Sequence, residues 1–320
     1  MAVMTRMPEM KELTVANDLL DHPEALRAAW DRDGYWFFRD VLDQSVIASI
    51  RGLYVEHLAQ LGLVDRNDPQ VRYTGADLTA LEGMVNSSPL NKAKAHKLLH
   101  ESPAINAFFT RLFGCEPFWV PFTVHRTTPP ARERKDSRFD FIHADGFYNE
   151  GLTFLICWVP LVQIDADVGG LALVEGVHKQ PSLHRREGLK IKPIDPADVP
   201  AGAWRRTTYR PGDVLLMSLA TPHTGITNHS DRFRLSMDTR VMPSSGKLPI
   251  VGRLTYVGTE MLRLRDNRGE HILMLDDKSF VRGMHGDPMA RTDIPARFAP
   301  GDEVIVAAER GRVINMRPQH

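Results

Sequence analysis

The chain is poor in cysteine, carries no net charge and has no apolar run long enough to cross a membrane. Two cysteines among 320 residues, Cys115 and Cys157, exclude a disulfide-dense scaffold, and their spacing is neither a metal-binding nor a redox pattern. Cys157 sits inside an apolar stretch and reads as a small core residue. Forty basic residues are matched by forty acidic ones. That balance removes the basic footprint a nucleic acid or an anionic membrane would require. The longest apolar stretch, LTFLICWVPLV at 152–162, is far short of a transmembrane helix. The first residues, MAVMTRMPEMKELTV, contain no apolar core of a secretory signal, so a cytoplasmic setting is expected. Internal repeats and low-complexity segments are absent too.

What is present is strongly patterned. Apolar residues recur at helical spacing through PEALRAAWDRDGYWFF and SVIASIRGLYVEHLAQLGLV, within 17–64. Asp33-Gly34 marks a turn between them, and 35–38 a short strand. Helical character returns over 76–112, with a break near Asn86–Pro89. From about 117 onward short apolar runs alternate with Gly, Pro and Asp, which predicts many strands closed by turns. In 232–241, Phe233, Leu235, Met237, Thr239 and Val241 alternate with Arg232, Arg234, Ser236, Asp238 and Arg240. One face of that strand is therefore polar and the other packed. If the polar face lines a barrel lumen, the N-terminal helices are the natural cover for the apolar one. PSSGKLP at 243–249 reads as a linker. The expected organisation is a main unit over 1–249 and a small β-rich extension over 250–320.

FDFIHADGF places His143 and Asp145 two residues apart, so an extended strand aims both to one side. His223, in ATPHTG, offers a third ligand from a distant strand. Two imidazoles and a carboxylate on one face suit non-haem Fe(II) and leave coordination positions open. Arg234, eleven residues after His223, is a fixed cation able to fork onto a carboxylate. Five other histidines compete for notice. His96 and His100 are four apart on a lysine-rich helix without the glutamate of a zinc-protease site, and read as a solvated basic face. His178 and His184 read as loop-bonding residues. His125, on a strand before the charged segment TPPARERKDSR at 128–138, reads either as a substrate-pocket residue or as a core histidine. The charged segment itself is a candidate lid.

Taken in order, these stretches resemble the phytanoyl-CoA dioxygenase-like family of Fe(II)/2-oxoglutarate oxygenases. DRDGYWFFRDVLD at 31–43 looks like its entry segment, IHAD at 142–145 like its metal-binding pair, and GGLALVEGVHK at 169–179 like its glycine-rich stretch. PGDVLLMSLATPHTG at 211–225 is similar to the strand pair that delivers the distal histidine. Val177 and Val168 depart from the family pattern, away from the expected ligands. The resemblance covers roughly 15–245 and says nothing of the tail.

It implies a double-stranded β-helix (jelly-roll) core with N-terminal helices on its outer face. It implies Fe(II) on His143, Asp145 and His223, and 2-oxoglutarate anchored by Arg234 and the Ser236 hydroxyl. O2 is then the second cosubstrate, and a small molecule the partner, with no nucleic acid and no membrane. Related halogenases have Gly or Ala at the carboxylate position, so Asp145 points to hydroxylation or a kindred oxidation, with secondary metabolism as the analogous setting. Arg240 is expected either to meet an anionic substrate or to pair with Asp238. For the tail three roles stand open: closing the active site, building a homo-oligomer, or capping the barrel. The reading from a different class is a catalytically silent jelly-roll that binds a carboxylated small molecule or a protein.

Overall fold

A computed structural model describes residues 9–77, 87–131, 142–180, 182–187, 190–283 and 288–319. Most of the candidate lid, from residue 132 onward, lies outside the described residues, as does the expected helix break at Asn86.

Helix starts and stops follow local chemistry. Helix α1 (Pro23–Asp33) opens with proline at its first turn and closes on Gly34, whose φ of 81° suits a residue without a Cβ. Strand β1 (Tyr35–Phe38) follows at once. Helix α2 (Gln44–Gln60) is capped by Asp43, whose carboxylate accepts from the backbone N–H groups of Ser45 and Val46. After two short helices, α3 (Ser88–Lys92) and α4 (Ala95–His100), comes α5 (Pro103–Phe113), capped by Ser102 and ended by Gly114.

The strands then begin. They are β2 (Pro117–Thr128), β3 (Leu155–Pro160), β4 (Gly170–Val174), the short pair β5 (Arg186–Glu187) and β6 (Lys190–Ile191), β7 (Trp204–Arg205), β8 (Val214–Met217), β9 (His223–Ile226) and β10 (Arg234–Pro243). Four of them join β1 in the major sheet, in the order β1-β8-β3-β10-β2, and β7-β4-β9 form the minor one. Facing each other, the two sheets make the jelly-roll that the strand pattern and the resemblance anticipate.

Strand β10 shows why the helices sit where they do. Its odd-numbered side chains Leu235, Met237 and Val241, with Phe233 just before it, join one core with Ile47, Ile50, Tyr54 and Leu58 of α2 and Phe109 of α5. The even-numbered ones, Arg234, Ser236, Asp238 and Arg240, are equally buried but face the lumen. A strand with two buried faces of opposite polarity needs an apolar cover on one side and a polar site on the other.

After Pro243 the chain runs to β11 (Ile250–Val257), β12 (Met261–Asp266), β13 (Gly269–Met274), β14 (Phe280–Val281), the short helix α6 (Ile294–Arg297), β15 (Glu303–Glu309) and β16 (Arg312–Pro318). These strands form a second sheet, β13-β12-β11-β15-β16-β14, with a core of its own around Leu262, Leu264, Val304 and Met316. A further apolar cluster seals it to the barrel: Val120, Leu152, Phe154 and Met242 meet Ile305 and Ala307. Among the described residues no helix is long and apolar enough to cross a membrane.

Candidate active site

His143 and His223 are held opposite one another by a reciprocal backbone pair. His143 N–H donates to the His223 carbonyl at 3.0 Å, and His223 N–H to the His143 carbonyl at 2.8 Å. Side chains of directly paired antiparallel residues share a face, and the two imidazole centroids lie 4.3 Å apart. Among the described residues, the expected strand around His143 is represented by this single bridge. Ala144 keeps extended torsions, φ −124° and ψ 131°, before a 3-10 turn begins at Asp145. One extended residue is enough to turn Asp145 to the side of His143, and Asp145 Oδ1 stands 3.6 Å from His143 Nε2. Ligand atoms of all three residues lie within 4.8 Å of one another.

The backbone fixes the tautomer of the distal histidine. His223 Nδ1 donates to the Thr221 carbonyl at 3.1 Å, leaving Nε2 with a free lone pair for a metal. Thr221 in turn donates its hydroxyl to the Gly34 carbonyl at 2.7 Å, tying the ligand strand to the end of α1. Burial alone would raise the Asp145 carboxyl. The positive fields of His143, His223, Arg240 and Arg282 outweigh it and hold the group well below the usual carboxylate range.

Arg234 and Ser236 lie two residues apart on the lumen face of β10. The Arg234 guanidinium reaches from the major sheet to the minor one, donating through Nη1 to the carbonyls of Ile226 at 2.7 Å and Gly170 at 3.4 Å. The Ser236 Oγ is fully buried and has no hydrogen-bond partner. An orphaned buried hydroxyl costs about 1–3 kcal/mol unless a ligand satisfies it. Arg240 Nη2 stands 3.7 Å from Asp145 Oδ2, and its Nη1 is 3.2 Å from Asp238 Oδ1. Arg232, on the same parity, is drawn off to Asp165 at 2.7 Å.

His125 is a correction to the pocket reading. Its register partner on β10 is Met237, so it faces the helices rather than the lumen. There Nδ1 shares a 2.6 Å hydrogen bond with the Tyr54 hydroxyl. The solvated-face reading of α4 is corrected as well. His96 is buried, while His100 stacks on Trp119 at 4.5 Å and bonds Thr239 Oγ1 at 2.8 Å.

Burial first, then the neighbouring histidines, pulls His100 down to about 3 and His125 down to about 4 from an ordinary 6.5. The folded protein thus prefers neutral rings. Their contribution to stability is complete above pH 6.5 and drains away as pH falls toward 4 and then 3, at up to about 1.4 kcal/mol per unit for each ring. The melting temperature is expected to drop steeply across this window. The drop should be shallower in His125→Asn, which keeps an acceptor near Nδ1 and does not titrate. Parallel profiles would refute the assignment.

Two further groups position the ligands, the first of them in the loop-bonding role read for it. His184 Nε2 accepts the Ala144 N–H at 2.8 Å and its Nδ1 donates to the Lys192 carbonyl, clamping the residue between the two ligands. Asn149 donates to the Asp145 carbonyl at 2.8 Å. Both depend on loops folding back, which no local spacing announces. His178, expected to bond its loop, has neither ring nitrogen in a hydrogen bond and packs instead where a Cβ on Gly34 would stand.

Fold and site together define a jelly-roll oxygenase. The phytanoyl-CoA dioxygenase (PhyH) family matches residues 30–236, and the chain belongs to it; it is an oxidoreductase. The 1-deoxypentalenic acid 11-beta-hydroxylase of Streptomyces arenae is 30% identical over 244 residues, spanning 71% of this chain and 83% of that protein. Its counterpart from Streptomyces exfoliatus is 29% identical over 242 residues, with the same shares. Among solved structures, the epimerase SnoN in complex with Fe3+, alpha ketoglutarate and nogalamycin RO aligns with a TM-score of 0.47 and 23% identity, over 70% of this chain and 84% of that one.

Proposed function

We propose that the chain is an Fe(II)- and 2-oxoglutarate-dependent dioxygenase that hydroxylates an unactivated C–H bond of a small organic molecule. The observation that carries this reading is the reciprocal His143–His223 bridge, which gathers three ligands beside the lumen face of β10. The donor set fits the metal: two imidazole nitrogens and one ionised carboxylate on one side, with the rest of the coordination sphere left to cosubstrate and O2. It fits the cosubstrate as well, since Arg234 supplies a buried cation and Ser236 an unpartnered hydroxyl on one strand face.

His143, Asp145 and His223 would hold the iron, and Arg234 with Ser236 the distal carboxylate of 2-oxoglutarate. Bound there, the pair supplies O2 activation, the cosubstrate leaving as succinate and CO2 while a substrate C–H bond becomes C–OH. The protein's own work is positional. Thr221 fixes the tautomer of His223, and His184 and Asn149 fix the backbone around Asp145. Residues 1–249 form the oxygenase unit in this reading and 250–320 an extension to it. The hydroxylases named above carry 1-deoxypentalenic acid in their names, which supports a small-molecule substrate of that kind; a cytoplasmic setting belongs to the same reading. Anaerobic addition of Fe(II) and then 2-oxoglutarate is expected to raise a visible metal-to-ligand charge-transfer band. Folded protein that gives no band would sink the proposal.

A further inference from the structure

The extension does more than cover the barrel, because it buries two arginines beside Asp145. Arg282, just after β14, and Arg317, on β16, are 8% and 5% exposed, and Arg240 from β10 is 4% exposed. Arg282 Nη2 and Arg317 Nη1 both donate to Asn149 Oδ1, at 3.0 and 3.4 Å, and Asn149 donates onward to the Asp145 carbonyl. The guanidinium carbons of Arg317 and Arg240 stand 3.2 and 4.3 Å from the centre of the Phe122 ring. Three cations from two sheets thus converge on one end of the lumen.

Their counter-charge does not match. Among the described residues neither Arg282 nor Arg317 forms an ion pair, and Arg240 shares Asp238 with Arg126. Asp145 is the remaining nearby carboxylate, and once it ligates a metal it no longer neutralises them. The Nε groups of Arg240 and Arg282 are buried without an acceptor. Burial, only partly offset by Asp145, draws Arg282 down to about 10, as expected where cations crowd. Leaving such charges unpaired costs several kcal/mol per ion, and an anion of suitable shape returns that cost. Planar guanidiniums suit a carboxylate or phosphate. With Asp145 at 3.7 Å from Arg240, a monoanion is repelled less than a dianion.

We infer that Arg240, Arg282 and Arg317 seat a carboxylate of the substrate, the extension supplying two of the three. The substrate class, a small carboxylic acid, rests on the oxygenase reading; the anion seat itself does not. Neither Arg282 nor Arg317 falls within the family match, which ends at residue 236, so the seat is a property of this chain's extension.

The test uses the metal-free full-length chain with sodium acetate, against sodium chloride at matched ionic strength, reading the melting temperature. Acetate is expected to raise it in wild type and in Arg234→Gln, and inorganic phosphate to do less. In Arg282→Gln/Arg317→Gln the apparent acetate affinity should fall at least tenfold, while the ligand-free melting temperature holds or rises as repulsion is relieved. The single Arg282→Gln, which leaves Arg317 on Phe122, should show an intermediate loss. No acetate effect in wild type, an effect retained in the double variant, or phosphate exceeding acetate would each overturn the assignment. So would ligand-free variants markedly less stable than wild type, since the arginines would then be structural. The charge-transfer band, measured separately in wild type, decides the oxygenase reading whichever way the acetate experiment falls.

Discussion

Asp145→Ala is expected to lose Fe(II) binding beyond detection by equilibrium dialysis and, with it, all 2-oxoglutarate turnover. Changes to groups that merely orient a ligand weaken metal sites roughly 10- to 100-fold, and deleting one of three direct ligands must exceed that. A second effect separates this variant from His223→Ala. Asp145 is also a second carboxylate beside Arg240, at 3.7 Å against 3.2 Å for Asp238, and it contributes to the field felt by Arg282. Its removal leaves buried cations with less counter-charge, so the metal-free variant should melt below wild type. The cost is smaller than the roughly 3–5 kcal/mol of a fully enclosed pair, because the contact is long and part of the Asp145 side chain remains exposed. His223→Ala removes a ring and its bond to Thr221 but takes no carboxylate from the arginines, and should lose iron with little added charge strain. Iron content undiminished in Asp145→Ala would remove Asp145 from the ligand set. A metal-free melting temperature equal to wild type would show that the neighbouring arginines do not need it.

How much of this was readable in advance depended on the range of the signal. The lumen face of β10 was legible because alternation is a property of ten consecutive residues; parity puts Arg234 and Ser236 on it, and the offset from His223 with the family resemblance singles them out from Arg232 and Arg240. His143 and Asp145 were legible for a related reason, since one extended residue between them fixes their common side. His125 was not. On a strand whose two faces are both buried, parity becomes meaningful only once the register with Met237 is known. His96 and His100 were masked by the lysines around them, which hold the solvent side of α4 while the two rings turn inward. The arginines of the tail carry no local pattern that sorts them. Arg253, Arg263, Arg265 and Arg268 advertise charge and are solvated, whereas Arg282 and Arg317 are the ones carried inward. What carries them is the packing of Ile305 and Ala307 on Val120 and Phe154, a contact between distant segments that leaves no local pattern.

Arg234→Ala should keep iron binding yet need at least a hundredfold more 2-oxoglutarate to develop the charge-transfer band. A charge-assisted hydrogen bond contributes about 1.5–3 kcal/mol, and a guanidinium fork offers two, while each 1.4 kcal/mol is tenfold in affinity. Arg234→Lys should recover only part of the loss, because an ammonium is a point charge without the fork. The backbone supplies an independent route to the same defect. Gly169 has φ of +88°, and a Cβ there would lie 2.4 Å from the Ile226 carbonyl oxygen and 2.8 Å from that of Thr227. Ile226 is the acceptor that holds Arg234 in place. Gly169→Ala therefore cannot be relieved by rotating a side chain; the β9 backbone must move, and the Arg234 anchor moves with it. The expected result is a lowered melting temperature together with weakened 2-oxoglutarate binding and intact affinity for Fe(II), since the His143–His223 pairing lies at the other end of β9. A Gly169→Ala protein that is destabilised but binds 2-oxoglutarate normally would show that the Ile226 carbonyl does not set the position of Arg234. If Arg234→Ala itself bound 2-oxoglutarate normally, the cosubstrate carboxylate would have to be placed elsewhere in the lumen.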